Sequence, residues 1–250
     1  MTLDEIAAHL REVEPDRFGA SLLTKPDARA KLWTLYALNL ETARAPLQSN
    51  EPLIAEMRVQ WWIDQLNRVG LGLVGDHELL DPLAKAWGPE TGELAVLAEA
   101  RRQDSDREPH ASADAVEAYI RATALPLSRL AARAIGMSAP ASLDDQAFGN
   151  GLASWLGVLP ALQGLGLGLK DRDPKIVEDL ATRGLDALAR VRAERRSVPR
   201  ALAPAYYGGP AARQVLETLA KDGTADIPPV SEFRHRLGLG KLALTGRWWS

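Results

Sequence analysis

QAFGNGLASWLGVLPALQGLGLGL, residues 146–169, runs for 24 residues without a formal charge. One residue in four of the whole chain is Asp, Glu, Lys or Arg (25%), so such a gap belongs in a protein core, a membrane or the wall of an apolar cavity. Its length reaches the roughly 20 residues a spanning helix needs. Its glycines, Pro160 and the polar Asn150, Ser154 and Gln163 suit hydrocarbon poorly, and no second span accompanies it. Phe148, Leu152, Trp155, Leu156, Leu159 and Leu162 recur at helical spacing along one stripe. The stretch therefore predicts a central buried helix over 143–166 and no transmembrane span.

Composition narrows the rest. The 250 residues can bury a sizeable core, and 46% hydrophobic content is ordinary for a globular protein. A net charge of −3 offers no basic footprint for nucleic acid. The absence of cysteine removes disulfides, thiolate chemistry and Cys-based zinc sites. MTLDEIAAHLREVEPD lacks the basic start and apolar middle of a signal peptide, so the expected location is cytoplasmic, with a peripheral position at the inner membrane face left open.

Ala, Leu, Arg and Glu dominate, and helix punctuation recurs. Helices are expected at 3–13, 27–45, 51–69, 78–87, 90–104, 113–135, 143–166, 174–196, 210–221 and 231–245. Asn50, Ser112, Ser142 (with Asp145 three residues on), Asp173 and Ser231 are candidate caps. No repeat or linker divides them, so one all-α domain over 1–250 is expected.

Two early helices hold the candidate site. On 27–45, Arg29 and Asn39 fall within the face of Leu32, Trp33, Tyr36, Leu40 and Ala43. On 51–69, Glu51, Arg58 and Gln65 run down the middle of an apolar face containing Ile54, Val59, Trp61, Trp62, Leu66 and Val69. Buried polar groups need partners. Arg58 is expected either as a buried structural arginine paired with an acid such as Glu51, or as a cavity-lining cation. Arg29, Tyr36, Asn39, Glu51, Arg58, Trp62 and Gln65 are the cavity candidates, and no catalytic or metal-binding residue is assigned.

Other features read more plainly. His9, His77, His110 and His235 show no ligand spacing. Gly164, Gly166 and Gly168 fit a helix end and turn better than a nucleotide loop. Arg190, Arg192, Arg195, Arg196 and Arg200 read as a solvated helix end. The tail VSEFRHRLGLGKLALTGRWWS reads as packing on the bundle or as contact with a membrane interface.

DRFGASLLTKPDARAKLWTLYALNLETARAP, NEPLIAEMRVQWWIDQL and LAEARRQDSDREPHASADAVEAYIRATALPLSRLAARAIG resemble the squalene/phytoene synthase family in order and spacing, over roughly residues 15–165. The EMRVQWW and Tyr36–Asn39 blocks look closest to a branch that includes a mitochondrial assembly factor for respiratory complex I. The resemblance implies an isoprenoid-synthase helical bundle around a central apolar cavity. In the family's enzymes, two aspartate-rich motifs on facing helices hold Mg²⁺, which binds the prenyl diphosphates condensed head to head.

The chain departs from both motifs. After Tyr36 it offers Asn39, Glu41, Thr42, Ala43 and Arg44, and a cation where an aspartate is expected repels Mg²⁺. The second motif falls within residues 146–169, where no carboxylate exists. The leading expectation is a catalytically degenerate protein that acts by binding. It would need no cofactor, and its partners would be a protein at the membrane, in complex I assembly, or an isoprenoid or quinone tail. The alternative is a prenyltransferase with atypical ligands and Mg²⁺, and a lipid carrier is a third reading.

Overall fold

The computed structural model describes residues 1–249, which form helices joined by turns with no strand among them. The chain folds into two compact units: Met1–Arg107 with Leu130–Met137, and Glu108–Arg129 with the described chain from Ser138 onward.

In the first unit, helix α1 (Leu3–Val13) starts in a Thr2–Glu5 capping box that satisfies two backbone donors reciprocally. Helix α2 (Pro15–Ser21), absent from the expected set, and α3 (Pro26–Arg44) each open on a proline. A 3₁₀ turn, Ala45–Gln48, leads to α4 (Pro52–Gly70). Then come α5 (Leu80–Trp87), a 3₁₀ segment Gly88–Leu94, and the short α6 (Ala95–Glu99) and α7 (Arg102–Ser105). The single helix expected over 90–104 is thus broken. Here α4 ends against this segment so closely that a Cβ on Gly70 would lie 2.7 Å from the Gly92 nitrogen. Ile6, Leu10, Leu32, Leu35, Leu38, Leu66, Leu83 and Leu94 fill the core between these elements.

Helix α8 (Ala113–Ala134) tolerates Pro126 within it. The second unit continues with α9 (Ala141–Gly157), α10 (Leu159–Gly164) and α11 (Pro174–Ala193). It closes with α12 (Ala203–Tyr206), α13 (Gly209–Leu219) and α14 (Glu232–Thr245). The charge-free run is a buried helix only as far as Gly157. The chain breaks at Val158, and Pro160 then sits in the first turn of α10, where its missing N–H costs nothing. Phe148, Leu152, Trp155, Leu156 and Leu159 are buried as their spacing predicted, and Leu162 is partly buried against the same cluster. Gly166 and Gly168 have positive φ, as a turn requires. No helix among the described residues is long and apolar enough to cross a membrane.

Asp173 caps α11 and Ser231 caps α14, and Ser112 accepts from the Ala115 amide. Two expected caps do other work. Asn50 accepts from Arg107, leaving Glu51 at the N-cap of α4 without a side-chain cap bond. Ser142 lies inside α9 and shares a hydrogen bond with the Tyr206 hydroxyl at 2.8 Å.

The second unit is organised by close approach. Helices α9, α11 and α13 pack mutually. At the crossing, a Cβ on Gly149 would sit 2.7 Å from the Leu188 side chain and 3.0 Å from the Gly184 carbonyl oxygen. Gly184 in turn makes room for Leu216. Valine at Gly149 should destabilise the fold by about 1–3 kcal/mol through overpacking. Alanine at Gly164, where a Cβ meets nothing within 4 Å, should leave stability unchanged or slightly raised. Urea denaturation of the two variants checks the contrast.

Candidate functional site

In the first unit, the 3₁₀ turn after α3, the outer flank of α4 and the loop before α5 enclose a groove of about 640 Å³. Ala45, Ile54, Met57, Trp61 and Trp62 give it apolar walls, and Glu41, Gln48, Arg58, Asp76 and His77 give it polar points. Trp61 and Trp62 meet edge to face at 5.1 Å between ring centroids, and His77 lies against Trp62 at 4.8 Å. The Leu79 amide donates to His77 Nδ1 at 3.2 Å, which orients the ring. Arg58 reaches across the groove and donates to Gln48 Oε1 at 2.8 Å.

Three of the candidate side chains contribute here. Arg58 and Trp62 line the groove, and Gln65, buried behind it, accepts from the Asp76 amide at 2.9 Å. That bond holds the loop carrying Asp76 and His77. Arg58 is exposed rather than buried, and its partner is Gln48 rather than Glu51. Glu51 is itself exposed at the helix start. The buried face of α4 comprises Ala55, Val59, Trp62, Ile63, Gln65, Leu66 and Val69. At 100° per residue its centre is roughly 60° round from the Glu51–Arg58–Gln65 line.

The other candidates lie outside the lining. Arg29 closes the corner between α2 and α3, donating to the Leu22 and Thr24 carbonyls at 2.9 and 3.0 Å. Tyr36 is buried beneath the Arg17 guanidinium, 5.5 Å from its ring centroid, and Glu14 binds that same arginine. Asn39 is buried on α3. Sequence reasoning passed over Gln48 and Asp76, set His77 aside for want of ligand spacing, and counted Ile54 and Trp61 as core.

The residues present do not fit a Mg²⁺ seat with two acidic walls. Glu41 is the only carboxylate between Tyr36 and Ser49, and it lies 3.8 Å from Arg44. After Asp144 and Asp145 in its first turns, α9 carries no further acid, and α10 carries none. Among the described residues, no three His, Cys, Asp or Glu side chains gather as a metal site.

A second groove, of about 500 Å³, lies in the second unit among α9, α11, α13 and the tail. The expected solvated arginine cluster is divided there among separate tasks. Arg190 pairs with Asp145, Arg192 and Arg195 line this groove, and Arg200 donates to the Ala243 and Leu244 carbonyls at the end of α14.

Replacing Gln65 by Met should leave the Asp76 amide without its partner, cost about 1 kcal/mol and speed hydrogen exchange at that amide. Burial pushes the Tyr36 hydroxyl from 10 up to about 12. Between those values the unfolded chain releases this proton while the folded chain keeps it, so stability falls as pH rises through that window. Denaturation midpoints at pH about 9 and about 11 should differ less for Tyr36→Phe than for the parent, by about 1–2 kcal/mol.

The family model for squalene/phytoene synthase matches residues 10–159. No curated protein matches the chain. The solved structure of a dehydrosqualene synthase in complex with ligand superposes with a TM-score of 0.74. That match covers 96% of this chain and 94% of that one at 12% identity, a likeness of fold alone. With its all-α architecture and a family match over more than half its length, the chain belongs to the squalene/phytoene synthase family.

Proposed function

We propose that this chain is a catalytically degenerate member of its family that acts by binding. The observation that carries the reading is chemical: the charge-free run supplies no carboxylate where the second metal motif belongs, and Arg44 stands beside the lone Glu41 at the first. A divalent ion bridging a diphosphate needs oxygen ligands on both walls, and here one wall has none.

The Trp61–Trp62 groove suits a ligand with an apolar chain and a polar or anionic head. Met57, Ile54 and the tryptophans would cover the chain, and Arg58 would meet the head. An isoprenoid or quinone tail has this character. The finer reading, a role with a protein partner at the membrane in complex I assembly, rests on the EMRVQWW and Tyr36–Asn39 blocks. Family membership supports a second reading, head-to-head prenyltransfer with atypical ligands.

Purified protein incubated with farnesyl diphosphate and Mg²⁺ separates the two. The binding reading expects tryptophan fluorescence to change on ligand addition with no pyrophosphate released, and Arg58→Ala to weaken binding by about tenfold or more. Pyrophosphate release at the rate of an active relative run alongside overturns it. For the assembly role, a deletion strain whose membranes keep normal complex I abundance is the contrary result.

A further inference from the structure

Helix α14 has two apolar faces, and only one of them is used. His235, Gly238, Leu239 and Leu242 share the inner face at helical spacing, against α13 and Tyr207. Leu242 is buried, and a Cβ on Gly238 would lie 2.4 Å from the Tyr207 hydroxyl oxygen. Arg234 donates to Gln214 of α13 at 2.6 Å. Beyond the helix, Trp248 is buried against Tyr206 at 4.7 Å between rings. These contacts pin the helix at both ends and fix its rotation.

The opposite face then points to solvent. Phe233, Leu237 and Leu244 fall within about 40° of one another at 100° per residue. They are 72%, 44% and 81% exposed, unusual for large apolar side chains aligned on one stripe. Arg236 and Lys241 flank the stripe, and Arg247 follows it with its guanidinium 5.6 Å from the Trp249 ring centroid. From Ser231 to Trp249 there are four cations against a single acid, Glu232, in a chain whose net charge is −3.

We infer that this outer face of α14 docks the protein in the plane of an anionic lipid surface. An apolar stripe edged with cations, carried on a helix too short and too charged to span, is the pattern of an interfacial helix. Phe233 and the leucines enter the acyl boundary while Arg236, Lys241 and Arg247 meet the headgroups. A second protein copy is the poorer occupant, because three side chains fall well short of the roughly 800 Å² per partner of a standard interface. No residue of the Trp61–Trp62 groove takes part, so ligand binding there and lipid docking here can fail independently.

Co-sedimentation of the full chain with phosphatidylcholine vesicles, with and without about one-third phosphatidylglycerol, tests this. Binding is expected to the anionic vesicles, at least tenfold weaker to the neutral ones, and strongly reduced at about 0.5 M NaCl. Phe233→Ser/Leu237→Ser/Leu244→Ser and, separately, Arg236→Gln/Lys241→Gln should each lower binding at least tenfold while circular dichroism and thermal midpoint stay unchanged. Failure of the parent to bind, equal binding to both vesicle types, or variants that bind like the parent overturns the inference. A lipid-free dimer that the triple serine variant dissociates, with no vesicle binding, overturns it in favour of a second copy.

Discussion

Helix α9 can approach α11 closely because Gly149 brings no side chain of its own to the space that Leu188 and the Gly184 carbonyl occupy. The second unit depends on that contact. It lets Leu152, Leu156, Leu180 and Leu216 fill one cluster, and it gives a run without charge a place where none is needed. A carboxylate buried in such a cluster would be expensive without a metal or a cation to meet it. The apolar interior that holds these helices together thus suits a run that carries no acid.

Polar chemistry is found instead at the margins. Arg58, Gln48, His77 and Asp76 edge an aromatic groove in the first unit, and Arg192 and Arg195 edge another in the second. Around the α14 stripe the cations again stand at a boundary between apolar side chains and water. In each place an arginine or lysine keeps its charge hydrated while apolar neighbours remain available to a ligand or surface.

Much of the fold was legible in the sequence, and the failures have physical causes. Proline at the start of α3 and of α11, and Ser231 before α14, mark helix starts because their effect is local. The breaks at Val158 and within residues 90–104 were missed. Periodicity continues across a kink, and the contact of Gly70 with Gly92 that shapes the second break is tertiary. The candidate site was half legible. Ile54 and Trp61 are apolar because they wall a groove, yet in a helical projection they look the same as core. Counting them as core rotated the inferred buried face of α4 toward Arg58 and Glu51. Helix α3 is buried on nearly every side, so projection could not say which way Tyr36 or Asn39 turns.

By itself the sequence determined that the chain is helical, that the run 146–169 belongs in apolar surroundings, and that this run carries no acid. These are matters of composition and short-range spacing, which no packing can alter. Only the tertiary structure decided that Arg58 meets Gln48, that His77 lies on Trp62, and that one apolar face of α14 is covered while the other is bare. A helix sequence fixes the angles between its side chains, but which of those angles faces a neighbour depends on elements far away in the chain.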